Sequence, residues 1–154
     1  MENLSQPIIF NFVGCFLKES SFSQKDASER KIDRFELKVQ PIDIHSGKNN
    51  FDITLHIFSD GFESLYAYTC LFEVKTGNST KFTPKISEDC QRNMLAVAFP
   101  FVRQAISSST NDFLHPVLLP VIDIRTLPVF SGVSFVRSDL QDKAKTKGKL
   151  PNSK

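Results

Sequence analysis

The chain has no tryptophan and only two tyrosines, against fifteen phenylalanines. Rings without a polar tip serve cores and apolar surfaces rather than hydrogen-bonded recognition. Cysteine is sparse: Cys15, Cys70 and Cys90 are an odd set with no Cys-x-x-Cys spacing, which points to reduced thiols rather than a disulfide framework or a zinc site. His45, His56 and His115 have no second ligand at metal-binding spacing, so no metal is expected. No stretch approaches the ~20 apolar residues of a membrane-spanning helix. The run PIIFNFVGC near the start lacks a basic flank and is short for a signal segment. The expected location is therefore cytoplasmic, where the sequons at Asn3 and Asn78 carry no glycan.

Catalytic signatures are missing too. The six glycines are scattered, with no Gly-x-Gly-x-x-Gly and no phosphate-binding Gly-x-x-x-x-Gly-Lys pattern. Neither Gly-x-Ser-x-Gly nor His-Glu-x-x-His occurs. Acidic residues stand singly, so no pair is set for acid–base work. No catalytic residue and no cofactor is expected, and a binding protein is favoured over an enzyme.

What is present fits one domain of ordinary size. Residues 141–154 hold five lysines and one acid, whereas residues 1–140 carry a net charge of −2. The expected organisation is a single domain over 1–140 and a disordered, solvated lysine-rich tail over 141–154. Such a tail binds nucleic acid only unspecifically. A small nucleic-acid-binding module is therefore an alternative, not the leading reading.

The first half reads as strands. Ile8, Phe10, Phe12 and Phe16 share one parity around Gly14, with Ile9, Val13, Cys15 and Leu17 on the other. Phe35, Leu37 and Val39 alternate with polar residues, and so do Phe51, Ile53, Leu55 and Ile57, as half-buried strands require. At Pro41 the phase shifts toward Ile42 and Ile44. HSGKNN and SDGFES read as turns. Leu65 to Val74 makes a fourth strand, with Tyr66, Tyr68, Cys70, Phe72 and Val74 on one face and Leu71 and Glu73 on the other. Ser87 reads as a helix cap, with Glu88 and Asp89 in the first turn. Cys90, Met94 and Val97 follow at helical spacing. Pro100 starts a new segment or kinks the old one, and Phe101, Val102, Ala105 and Ile106 form a second stripe. A last helix is expected around Val133, Val136 and Leu140. The fold class is α+β: a four-stranded antiparallel meander with two helices packed on one face.

Between the helices lies HPVLLPVIDI, apolar yet twice interrupted by proline. Phe99-Pro100-Phe101-Val102-Arg103 followed by Pro116-Val117-Leu118-Leu119-Pro120-Val121-Ile122 resembles the SecB-type export chaperones, in which an FPYAR-like helix segment precedes a proline-flanked apolar loop. Cys70 to Gly77, CLFEVKTG, is similar to the family's LxEVxxxG strand end, and Phe16 to Phe22 to the end of its first strand. The resemblance spans about residues 8–127. It implies an ATP-independent holdase that binds unfolded polypeptides in apolar grooves and passes them to the SecA motor. It also implies a homotetramer built as a dimer of dimers. The groove residues on this reading are Phe113, Leu114, Val117, Leu118, Leu119, Val121 and Ile122. The alternative for some of them is to plug the core or a subunit interface. The motor-facing residues would be Glu19, Leu71 and Glu73. Ser23 stands where the family often has a second acid, and the lysine-rich tail replaces an acidic one. These departures leave room for a member dedicated to one client, such as the antitoxin of a toxin–antitoxin pair.

Overall fold

In this computed structural model, residues 7–25, 31–77, 80–111 and 116–137 are described. Period-2 alternation does what it should. Strands β1 (Ile9–Gln24), β2 (Arg34–Val39), β3 (Gly47–Phe58) and β4 (Phe62–Lys75) join a short β5 (Val133–Val136) in one antiparallel sheet of order β1-β4-β3-β2-β5. Phe35, Leu37 and Val39 of β2, Phe51 to Ile57 of β3 and Tyr66 to Val74 of β4 turn their alternate apolar side chains to one face, which is buried. That inner face is covered by a single helix, α1 (Pro84–Ser109), over β1 and β4, and by residues 116–132 toward β2.

The edge strand β1 keeps register only through two irregularities, between Phe12 and Gly14 and between Leu17 and Glu19. A bulge inserts one residue and shifts the parity. Phe10 and Phe12 therefore point inward, whereas Phe16 lies opposite Thr69 on the outer face. The expected common parity of Phe10, Phe12 and Phe16 fails for this reason. The 45–50 turn is also tighter than expected. Gly47 (φ 104°) already opens β3, and Asn49 pins the corner by donating to His45 O at 2.7 Å and accepting from His45 N at 3.1 Å. Hairpin β3–β4 closes around Asp60-Gly61, with Ser59 N donating to Phe62 O at 2.9 Å.

The helix corrects three expectations. Its cap is Thr83, not Ser87: Thr83 Oγ1 accepts from Ile86 N at 3.2 Å, and Pro84 occupies the first turn, where its missing N–H costs nothing. Ser87 is buried inside the helix and its Oγ accepts from Ile44 N at 3.2 Å. Glu88 consequently falls beyond the first turn and pairs with Arg92. Pro100 does not end the helix, which runs through it unbroken. Met94, Leu95, Ala98, Phe99, Val102 and Ile106 are buried in one stripe across the proline, and their burial outweighs the one hydrogen bond that proline removes.

Five strands and one helix, among the described residues, replace the expected four and two. Where a last helix was expected, short 3-10 turns at Ile124–Thr126 and Val129–Ser131 lead through Gly132 (φ 80°) into β5. β5 pairs with β2, and Phe135 stacks on Phe35 at 4.5 Å between centroids. The expected helix residue Leu140 and the lysine-rich 141–154 lie outside the described residues.

Candidate functional site

The loop after α1 is anchored at its root. Thr110 caps the helix, with its N–H and Oγ1 both donating to Ile106 O. The same Oγ1 accepts from Val117 N at 2.8 Å, which fixes where the loop returns to the body. From Val117 to Leu119 successive side chains point to opposite sides, and the phase changes after Pro120. Val117 and Leu119 are buried, at 0% and 5% exposure, and Ile124 follows them inward. Leu118 and Val121 stand out at 65% and 83%. Ile122 is half-buried against the core. The expected groove set is thereby divided. Val117 and Leu119 are core plugs, Leu118 and Val121 are solvent-facing, and Phe113 and Leu114 lie outside the described residues.

Helix α1 supplies the opposite wall. Val97 and Phe101, one turn apart, are exposed on the side away from the sheet's core. Phe101 leans onto Phe12 of the edge strand with ring centroids 4.8 Å apart. The sequence puts Val97 and Phe101 on apolar stripes at helical spacing, and the structure exposes both. The face of the helix could only be settled once Pro100 was known to lie within it, because a break there would have reset the helical phase.

Three clefts meet along this ridge. One of about 660 Å³ lies between α1 and the loop, with Val97, Pro100 and Val121 on its walls. A second, about 520 Å³, continues from Pro100 to Leu118. A third, about 560 Å³, runs from Leu118 over Pro116 and Pro120 to Phe135 and Val136 beside β5. Pro100 borders the first two and Leu118 the last two, so the clefts lie side by side along one track. Its rim is cationic on balance. Arg103 borders two of the clefts, and Arg125 and Arg137 line the ends, paired with Asp123 at 3.2 Å and Asp33 at 3.3 Å. The Arg125 side chain and backbone both donate to Asp123 and hold its carboxyl below the usual range.

The outer face of the sheet is different. Leu71 and Glu73 do lie together there, as expected, opposite Asn50 and Lys48 of β3. Glu19 shares the face, opposite Ala67. The surrounding charge is mixed rather than acidic, because Lys48 faces Glu73 directly and Lys18, beside Glu19, bonds Asp52 at 2.8 Å. Among the described residues no cluster of His, Cys, Asp and Glu is placed to hold a metal ion. No helix there is long and apolar enough to cross a membrane.

Comparison with solved structures finds a similar fold in a known protein. A SecB-like chaperone of Mycobacterium tuberculosis, solved in complex with a ChAD peptide from the HigA1 antitoxin, superposes with a TM-score of 0.57 at 12% identity. The match covers 73% of this chain and 89% of that one. The chain has a SecB-like fold. A Streptococcus agalactiae protein of unknown function aligns at a TM-score of 0.46 and 14% identity, over 76% of this chain and 99% of that one. No family model matches the sequence, and no curated protein matches it either. The likeness is thus carried by the fold at low identity, in keeping with the short motifs that first suggested it.

Proposed function

We propose that this SecB-like protein is an ATP-independent holdase that captures unfolded polypeptide segments along the adjoining clefts. The observation that carries the reading is the track itself, with solvent-facing Val97, Leu118 and Val121 on its walls, set on helix α1 and an anchored loop. Apolar contacts need no fixed partner geometry, so one surface accepts many sequences. Each client side chain buried there contributes about 1.5–3 kcal/mol, and several in series hold a chain without nucleotide hydrolysis. The cationic rim suits apolar segments flanked by acidic residues.

Of the two client classes, a dedicated partner such as an antitoxin is favoured over general delivery to the SecA motor. The similarly folded mycobacterial chaperone binds an antitoxin peptide. Lys48 and Lys18 also offset the carboxylates on the face that a motor would use. Assembly with further copies fits the edge strand, where Ile9, Val13, Phe16 and Leu17 are exposed. Natural sheet edges of that kind are normally covered, and a homotetramer would cover them.

The test is light scattering from a chemically denatured protein diluted with and without the chain, in the absence of ATP. Suppression at near-stoichiometric amounts is expected. A folded sample that leaves aggregation unchanged, and that also fails to retain acidic–apolar peptides, would overturn the holdase reading.

A further inference from the structure

Cys15 and Cys70 are directly opposed partners across β1 and β4. Both are free thiols, and their Sγ atoms approach to 2.9 Å. Opposed residues of an antiparallel pair have Cα atoms about 4.5–5.5 Å apart, inside the roughly 4.4–6.8 Å that a disulfide bridges. Joining the sulfurs therefore needs side-chain rotation, not strand movement. The pair also sits between the two register shifts of β1, where a covalent tie would pin the register of an edge strand.

The two thiols differ in access. Cys70 is fully buried on the inner face, whereas Cys15 is half-buried where the cover ends. Phe12, the inward neighbour on one side, lies under Phe101, but Leu17 on the other side is exposed. The hydrogen bond between the two thiols holds Cys15 below its ordinary range, and the same bond together with burial pushes Cys70 up. Cys15 is the accessible, more acidic attacker, and Cys70 is its protected partner.

We propose that Cys15 and Cys70 are a redox modification site, closing to a reversible cross-strand disulfide in response to a small-molecule disulfide such as glutathione disulfide. The Cys15 thiolate attacks one sulfur of the oxidant and releases one glutathione thiolate. Cys70 then gives up its proton and attacks Cys15 Sγ, which breaks the mixed disulfide and releases the second glutathione. Two protein thiols become one S–S bond, one glutathione disulfide becomes two thiols, and the two protons pass to the departing thiolates. Cys90, half-buried on α1 with its thiol pushed up by burial, is the internal control.

The experiment equilibrates the full chain in glutathione buffers of increasing oxidising strength, then denatures it in N-ethylmaleimide and measures intact mass. The three thiols should fall to one, the proteolytic map should join the Cys15 and Cys70 peptides, and dithiothreitol should restore all three. Cys90→Ser should fall from two thiols to none. Three adducts in every buffer, a persistent glutathione adduct without a bridge, or a bridge that includes Cys90 would each overturn the proposal. None of these outcomes depends on client binding, so the holdase reading stands or falls separately.

Discussion

Replacing Leu118 by serine separates a client surface from a core. Leu118 is 65% exposed, so the fold already uses about a third of what its full burial would give, and a bound client would use the rest. Full burial of a leucine is worth about 1.5–3 kcal/mol, which assigns roughly 0.5–1 kcal/mol to stability and roughly 1–2 kcal/mol to binding. The binding share corresponds to an affinity loss of about 5–30-fold. The stability share lowers Tm by only about 1–4 °C in a chain of this length. Val117→Ala, one residue away at 0% exposure, should behave in the opposite way. It removes two methyl groups and leaves a cavity, costing about 2–3 kcal/mol and roughly 5–10 °C of Tm. Client affinity of its folded fraction should be nearly unchanged. The assay is anisotropy of a fluorescently labelled, permanently unfolded test protein, titrated without nucleotide and run beside a thermal melt. If Leu118→Ser lowers Tm as far as Val117→Ala does and leaves affinity intact, the ridge is structural and the division of the loop into plug and surface is wrong.

Three further outcomes follow from the same geometry. Gln91 is buried and accepts from Ile42 N at 3.0 Å while donating to Gln40 O, so Gln91→Leu strands a donor and an acceptor and should cost about 2–4 kcal/mol in urea unfolding. Pro100→Ala returns an N–H to the helix interior and should stabilise by about 1–2 kcal/mol, the gain being trimmed by a freer unfolded chain. A loss of stability would mean that the proline ring packs where the helix needs it. The Asp52 carboxyl is held below its ordinary range by hydrogen bonds from Lys18 and Thr69, and Lys18 is held above its own. The stability gap between wild type and Asp52→Asn should therefore be full at neutral pH. It should close as pH falls below about 4 through the depressed folded value, and also as pH rises above about 10.5 through the raised lysine. A gap that stays constant across both windows would refute the pairing.

The three central strands were legible because burial of one face writes a period of two directly into β2, β3 and β4, and nothing in those segments competes with it. Legibility failed where a local signal met a stronger distant one. Pro100 is a breaker by its own chemistry, yet Leu95, Phe99, Val102 and Ile106 bury enough surface on both sides to carry the helix through it. Val133 and Val136 are spaced as helix residues, but β2 offers an open edge and Phe35 a ring to stack on, so a four-residue strand forms instead. The same reasoning divides the candidate site. Composition marks the whole of Pro116 to Ile122 as apolar, and a resemblance between short motifs cannot say which of those side chains face a client. The hydrogen bond from Val117 N to Thr110 Oγ1 sets where the loop returns to the body. With Val117 turned inward, alternation makes Leu119 the second plug and leaves Leu118 facing solvent. The alternation ends at Pro120, since Val121 stands at 83% exposure although it shares the parity of Val117 and Leu119. The groove wall is thus positioned from Thr110 as much as shaped by the leucines that line it.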